Sequence, residues 1–375
     1  MSVAHATFVV QSGQGAYDVD FFESETELRH LFAATTDARF VVDERIVELY
    51  PSLFTSVDVR LVYALPATED EKTLGGVERL CRFLQATDAS KATQLVVVGG
   101  GIVQDIAAFA AHSYYRGIPY VLVPTTLLSM ADSCIGAKCG VNLGHFKNQL
   151  GFFASPKRVA IYRTFTQTLA YDDLRSGFGE VLKLAITDSA DAFAWLESSL
   201  EHGGFASVDL DQAIRRSLET KRRVIEIDEY EANLRKTLNY GHSFSHAIEG
   251  LTDHGVPHGL GVAWGVDLAN FVAMRRGLLA PEIFARIHTL IAKHFAFDVI
   301  QPYDAAGICS MLKRDKKAAA GSITLILPEG LGKLARVPTV VDAALEAIIS
   351  EYLGTLDIFR PRATASAIGP TAHLR

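Results

Sequence analysis

The stretch Gln94-Leu95-Val96-Val97-Val98-Gly99-Gly100-Gly101-Ile102-Val103-Gln104-Asp105 passes from an apolar run to three glycines and then into a helical pattern that continues to His112. A short continuous apolar run bounded by glycine fits a strand buried on both faces, the condition of a parallel sheet covered by crossover helices. The glycines mark a sharp strand-to-helix turn, where backbone N–H groups can approach a pyrophosphate whose charge the helix N-terminus favours. The spacing is not that of G-x-G-x-x-G, and a triple glycine after a strand is about as often a tight turn as a nucleotide site.

The same alternation extends on both sides. Thr7–Gln11, Arg39–Val42, Val59–Leu65, Gln94–Val98 and Tyr120–Val123 are β-rich, with amphipathic stretches such as Leu74–Leu84 and Ile102–His112 between them. After about Phe152 the pattern turns to longer helices: Leu174–Thr187, Ala192–Leu200, Leu210–Ile227, His242–Leu251, Leu260–Arg276 and Pro281–Ala292. A last strand, Ser322–Leu327, precedes a helix at Val340–Leu353. The expected fold class is α/β: an N-terminal parallel-sheet nucleotide-binding domain over 1–168, then a C-terminal, mostly helical metal-binding domain over 169–360. Residues 361–375, rich in Ala, Thr and Pro, offer no periodic apolar face and are expected to be a mobile tail. No internal repeat is visible.

At 375 residues and 49% hydrophobic content the chain suits two domains that fold without staples. A net charge of −7 and the absence of a long Lys/Arg run exclude nucleic acid as an expected partner, because phosphate neutralisation needs a basic stripe. The four cysteines, Cys81, Cys134, Cys139 and Cys309, form no CxxC pair, which fits a reducing compartment. Met1 to Gln14 lacks a basic start followed by an apolar core, and no later stretch is apolar enough to span a bilayer. The expectation is a cytoplasmic protein without a membrane partner.

Three groups of residues carry chemistry. Pro124-Thr125-Thr126 closes the strand from Tyr120, at the end where ligands collect in open α/β sheets. It leads into a polar stretch with Asp132, Lys138, Asn142, Lys147 and Asn148, whose interspersed Gly136, Gly140 and Gly144 suggest a folded-in loop rather than a solvated face. Lys138 and Lys147 are candidate phosphate ligands, and Arg116 can add a guanidinium. In the second group, Glu180 and Lys183 stand one helical turn apart, which alone reads as an ion pair worth about 0.3 kcal/mol. The third is the run Gly241-His242-Ser243-Phe244-Ser245-His246 with His254 and His258 beyond it. His242 and His246 share a helix face with Asn239, and a carboxylate with two imidazoles is a standard catalytic zinc set with one open position. Spacing alone leaves open which histidines ligate, with His254 the obvious decoy beside His258.

Taken in order, these residues resemble the sugar phosphate cyclases of the 3-dehydroquinate synthase type, from about Asp43 to Leu327. The match runs through Gly99-Gly100-Gly101 with Asp105, Tyr115-Arg116-Gly117, Val123-Pro124-Thr125-Thr126-Leu127-Leu128, Asp132-Ser133 with Lys138, and Lys147-Asn148. It continues through Ser176-Gly177 with Glu180 and Lys183, Lys221, Asp228-Glu229, Leu234-Arg235, the histidine helix, His258-Gly259 and Asp315-Lys316-Lys317. The resemblance implies that Glu180, His242 and His258 hold Zn2+, with Co2+ an alternative, while His246 faces the substrate phosphate. It places NAD against Asp43, Glu69, Lys72, Gly100, Gly101, Asp105, Thr125, Thr126, Lys147, Phe165 and Thr168. Lys138, Asn148, Asn239, His246 and one of Lys316 and Lys317, here Lys317, would surround the phosphate. Asp132 and Lys183 would hold ring hydroxyls, Lys221 and Arg235 a carboxylate, and Arg116 would reach across a homodimer interface. The implied chemistry is transient oxidation by NAD, elimination of phosphate, return of the hydride and an intramolecular aldol closure favoured by proximity.

Details of the sequence divide on the substrate, a seven-carbon sugar phosphate. Ile135–Asn142, His145–Asn148 and Asp70–Leu74 look more like cyclases acting on sedoheptulose 7-phosphate, whereas Arg235, Asn239 and His246 follow the synthase pattern. A cationic pair of Lys221 and Arg235 would be satisfied by a carboxylate, which favours 3-deoxy-D-arabino-heptulosonate 7-phosphate converted to 3-dehydroquinate. The alternative is a divergent cyclase of specialised metabolism, valiolone-type on sedoheptulose 7-phosphate or aminodehydroquinate-type on an amino analogue. A polyol dehydrogenase on the related two-domain fold, with net NAD reduction, and a non-catalytic binding protein are the remaining readings, and the phosphate-binding lysines speak against the former.

Overall fold

The computed structural model describes residues 7–144, 146–253, 255–297, 303–314 and 322–355. They belong to two compact units, Met1–Leu238 and Asn239–Arg375.

The first unit is built on a sheet of seven strands. In chain order its elements are β1 (Thr7–Val10), β2 (Tyr17–Phe21), α1 (Glu25–Ala34), β3 (Ala38–Asp43), α2 (Glu44–Leu49), β4 (Val62–Leu65), α3 (Leu74–Ala86), β5 (Gln94–Gly99), α4 (Gly101–Ser113) and β6 (Tyr120–Pro124). A hairpin of β7 (Lys138–Leu143) and β8 (Phe146–Phe153) follows, then β9 (Arg158–Ile161), α5 (Tyr171–Asp188), α6 (Ala190–Glu201) and α7 (Leu210–Ile227). The sheet order is β1-β2-β9-β6-β5-β3-β4, parallel throughout except for the antiparallel pair β1 and β2. Leu95 to Val98 in β5 and Tyr120 to Val123 in β6 are all buried, as a strand covered on both faces requires. Consequently the turns after β5 and β6 open side by side at the carboxyl edge of the sheet, where a parallel α/β sheet binds its ligands.

The structure departs from the sequence reading where polar residues hide a strand. β2 carries two aspartates, and Asp20, which broke its apolar pattern, is buried against Arg158 of β9. Val59–Leu61 is a 3-10 turn instead of the start of a strand, because the Asp58 side chain caps it by accepting from the Arg60 N–H at 3.0 Å. The expected folded-in loop is the β7–β8 hairpin, separate from the large sheet.

The second unit contains α8 (His242–Leu251), α9 (His258–Arg275), α10 (Pro281–His294), α11 (Ala305–Arg314), a hairpin of β10 (Ser322–Gly330) and β11 (Lys333–Val340), and α12 (Ala343–Thr355). It is mostly helical, as expected. Helix α9 is buried on all sides from Gly259 to Ala273 and forms the axis of the unit. Its Gly265 packs against the turn before α8 so closely that a Cβ there would lie 2.1 Å from the Gly241 carbonyl oxygen. Gly241 itself has φ +80, a conformation open to glycine, and a Cβ on it would meet the Val266 N at 2.7 Å.

Three helices share one buried carboxylate. Asp267 of α9 accepts from the Tyr352 hydroxyl of α12 at 2.8 Å and from His288 Nδ1 of α10 at 2.7 Å. This hydrogen bond holds the His288 imidazole above its ordinary pKa, against the effect of burial. A raised folded-state pKa contributes stability that is complete below the unfolded value, about 6.5, and fades as pH rises through the folded value. Denaturant titrations of His288→Asn and the parent should therefore differ most below about pH 6.5, with the difference shrinking as the pH rises past it; a difference that grows with pH contradicts the assignment.

Candidate active site

The edge of the sheet supplies the first part of the site. Gly100 and Gly101 open α4, and Thr125 and Thr126 follow β6. A Cβ on Gly100 would sit 3.0 Å from the Thr126 methyl, so the two turns touch. Lys72, buried, pairs with Asp105 of α4 at 2.6 Å, and the second oxygen of Asp105 accepts from Gly140 N–H of the hairpin at 3.1 Å. Burial raises the Asp105 carboxyl, opposed by Lys72. Glu69 accepts from the Asn142 amide at 2.8 Å, and Asn142 accepts from the Asn148 N–H at 2.9 Å. These bonds fix the β7–β8 hairpin beside the glycine turn. A small cleft lies there, lined by Gly101, Gln104, Asp105, Ser133 and Lys138 among others. Further along the edge, Asp43 ends β3 and caps α2 through the Arg45 N–H at 3.0 Å, its carboxyl raised by partial burial. Phe165 is buried edge-on to Tyr50, whose hydroxyl meets that of Thr168 at 3.1 Å. Lys147 lies on β8 and Arg116 is exposed at the end of the α4 turn.

The second part is a buried charge cluster. Glu180 and Lys183 on α5 are 1% and 2% exposed and pair at 2.5 Å. This is no surface pair, so the value expected for an exposed helical pair does not apply. Residues Ser129–Ser133 form a π-helical turn that presents Asp132, and Lys221 of α7 reaches its Oδ1 at 3.0 Å and its carbonyl oxygen at 2.6 Å. Burial alone would raise the Asp132 carboxyl, but Lys183 and Lys221 outweigh it and hold the group low. Burial likewise opposes the charge on Lys183, and Asp132 with Glu180 prevails, raising its pKa. Lys221 is pushed down by burial, with Arg235 and Lys183 adding to it. Arg235 is 3% exposed and donates to the Gly136 carbonyl at 2.6 Å and to the Glu229 carbonyl. Lys138 pairs with Glu231. The α5 helix can approach this turn because Gly177 faces it: a Cβ there would lie 2.5 Å from Leu127 Cβ and 2.8 Å from the Leu128 N.

The third part is imidazole. Ring centroids of His242 and His258 are 5.5 Å apart, and those of His242 and His246 5.6 Å. His258 Nδ1 lies 2.9 Å from the Glu249 carboxylate and His242 Nδ1 lies 3.2 Å from the Tyr240 carbonyl, which places the proton of each ring on Nδ1. Nε2 is then the nitrogen each ring offers to a cation. Glu180, His242 and His258 each bring a ligand atom to within 4.8 Å of the other two, and one carboxylate with two neutral imidazoles is a donor set suited to zinc. His246, on the same helix, is not in this group of three, as the resemblance implied and against the simplest use of its spacing.

Of the residues singled out in the sequence, Lys72, Glu69 and Asp105 gather with the hairpin; Glu180, Lys183, Lys221 and Arg235 gather around Asp132. Lys316, Lys317 and His254 lie outside the described residues. Two acidic residues had gone unnoticed. Glu231 pairs with Lys138 and sits in an acidic run, Asp228-Glu229-Tyr230-Glu231, that reads as a solvated turn. Glu249 falls seven residues after His242, on the same helix face, and that spacing was its one available signal.

Residues 62–176 match the family model of the 3-dehydroquinate synthase N-terminal domain, and residues 177–318 that of the C-terminal domain. The chain belongs to the 3-dehydroquinate synthase family. Members of this superfamily act as phosphate-eliminating sugar phosphate cyclases. Among curated relatives, 3-dehydroquinate synthase of Shewanella halifaxensis (strain HAW-EB4) is 34% identical over 359 residues, covering 91% of this chain and 98% of the relative. Among solved structures, a 2-deoxy-scyllo-inosose synthase complexed with carbaglucose-6-phosphate, NAD+ and Co2+ superposes with a TM-score of 0.81 at 26% identity, covering 92% of this chain and all of that one. The 2-epi-5-epi-valiolone synthase of Streptomyces hygroscopicus subsp. jinggangensis 5008, with NAD+ and Zn2+ bound, gives 0.81 at 27%, covering 92% and 99%. Glycerol dehydrogenase from Schizosaccharomyces pombe, at 16% identity and a TM-score of 0.58, shares the fold alone. Among the described residues no helix is long and apolar enough to cross a membrane, and the four cysteines are free.

The buried cluster gives a direct test. Lys183→Met removes one cation from beside the buried Glu180 and the half-buried Asp132 and should cost about 3–5 kcal/mol of unfolding free energy. A denaturant titration showing a loss below about 1 kcal/mol, the range of exposed pairs, rules out this energetic role.

Proposed function

We propose that the chain is an NAD- and zinc-dependent sugar phosphate cyclase of specialised metabolism, taking sedoheptulose 7-phosphate or a close analogue to a valiolone-type cyclitol with release of phosphate. The convergence of Glu180, His242 and His258 beside a lysine-rich polar cluster carries the reaction class. The state of Arg235 and Lys221 carries the substrate. Both had been expected to need a carboxylate, yet the Arg235 guanidinium is bonded to two backbone carbonyls and Lys221 to Asp132. With protein partners in place, neither cation depends on a substrate carboxylate for its hydrogen bonds, which weakens the argument for an acidic substrate. The likeness to NAD- and metal-bound cyclitol synthases supports the same reading.

Glu180, His242 and His258 would hold the metal, and Gly100, Gly101, Asp105, Lys72, Glu69, Thr125 and Thr126 the NAD, with Asp43, Lys147, Phe165 and Thr168 at its margins. Bound there, the two would supply a reversible hydride acceptor and a Lewis acid. Asp132 and Lys183 would hold ring hydroxyls. Lys138, Asn148, Asn239 and His246, with Lys317, would receive the phosphate, and Lys138 would exchange Glu231 for it. The net change is redox-neutral: one C–O bond to phosphate breaks, one C–C bond closes the ring, and the hydride returns to the substrate. A cytoplasmic homodimer, with Arg116 reaching the partner, completes the proposal.

The second reading is 3-dehydroquinate synthase itself, favoured by curated relatives of that name at 33–37% identity. One incubation with NAD, zinc and each of the two seven-carbon sugar phosphates decides between them, following inorganic phosphate and product mass. Phosphate release and a cyclitol ketone from sedoheptulose 7-phosphate are expected; turnover of the heptulosonate phosphate alone overturns the substrate assignment, and NADH accumulating in proportion to substrate overturns the cyclase. His258→Ala should lose bound zinc, measured by elemental analysis, together with phosphate release. Full zinc occupancy in that variant refutes the ligand set.

A further inference from the structure

Glu249 is buried in α8, 3% exposed, and the cyclase chemistry gives it no task. One of its carboxylate oxygens accepts from Ser245 Oγ at 2.8 Å, one turn earlier on the helix, and from His258 Nδ1 at 2.9 Å, at the start of α9. The backbone of α9 is bare where this pair sits, since a Cβ on Gly261 would lie 2.8 Å from Ser245 Oγ and 3.5 Å from the Glu249 oxygen. A buried carboxylate directed at the back of a ligand imidazole is more than a helix-to-helix tie. It fixes the ring in the Nδ1–H tautomer, so that Nε2 keeps its lone pair, and it sets the ring plane.

We propose that Glu249 is the positioning residue of the metal centre, held by Ser245 and acting on the cation through His258; this rests on the metal reading above. Its negative charge makes the distal nitrogen a stronger donor, an effect an amide of equal shape does not reproduce. Loss of such a partner lowers metal affinity by about 10–100-fold.

The test uses the full-length protein stripped of metal, titrated with zinc against a chromophoric chelator, and loaded separately with cobalt for its visible spectrum. Glu249→Gln should melt with the parent in the metal-free state, bind zinc about 10–100-fold more weakly and show a shifted cobalt absorption band. Ser245→Ala, which frees the carboxylate to rotate, should weaken zinc binding in the same direction by a smaller factor. A purely structural role predicts the reverse pattern, a lower metal-free melting temperature with unchanged zinc affinity and spectrum, and that result overturns the inference. Should Glu249→Gln fail to fold, Ser245→Ala decides, and parent-like zinc affinity in it overturns the proposal. A parent protein that binds no zinc overturns the metal reading itself, and the inference with it.

Discussion

Lys183 is the group on which the arrangement of the first unit turns. It lies buried beside two carboxylates from separate elements, Glu180 on its own helix and Asp132 on the π-helical turn, and Lys221 of α7 answers the second of these. Opposite charges placed in low dielectric outside water are tolerated only when each has its partner, so α5, α7 and the turn after β6 must keep their mutual positions or leave an ion unpaired. Such a cluster is poor at adding net stability and good at excluding alternatives. It also sets Glu180 on a buried face, with its helix pressed against backbone at Gly177. A metal ligand needs that rigidity more than it needs strength.

The second unit reaches comparable rigidity by steric means. Gly241 and Gly265 let the turn before α8 and the middle of α9 approach to backbone contact, and His242 and His258 lie at the starts of these two helices. The contact holds the helix pair because any side chain at either glycine would occupy space already filled. Tyr240, beside Gly241, is anchored through its hydroxyl to Asn270 of α9, so the same helix that carries His258 also steadies the turn carrying His242.

How much of this was legible depended on whether a feature was local. Continuous apolar strands such as Gln94–Val98 and amphipathic helices such as Leu210–Ile227 show in the sequence because their burial pattern is a property of a short window. β2 and β9 did not show, since Asp20 becomes acceptable in a sheet only once Arg158, far along the chain, lies opposite. The hairpin of β7 and β8 failed for a similar reason: its glycines and asparagines serve close packing and hydrogen bonds to Asp105 and Glu69, and those uses override strand propensity. Residue types of the candidate site were legible, and their ionic state was not. Glu180 and Lys183 at one-turn spacing look the same in sequence whether solvated or buried, although the energies at stake differ several-fold.

That distinction also governs how substrate preference is read. Two cations close in sequence to a polar cluster invite an anionic ligand, and the inference is sound while their partners are unknown. In the folded chain, the carbonyls of Gly136 and Glu229 each accept from the Arg235 guanidinium, and Asp132 pairs with Lys221. A carboxylate placed there would share these cations with acceptors the protein already supplies, beside a turn fixed by Tyr17, whose hydroxyl accepts from the Gly136 N–H at 3.2 Å. Competition between the protein's own backbone and a ligand for the same cations is a feature that a comparison of side chains alone passes over.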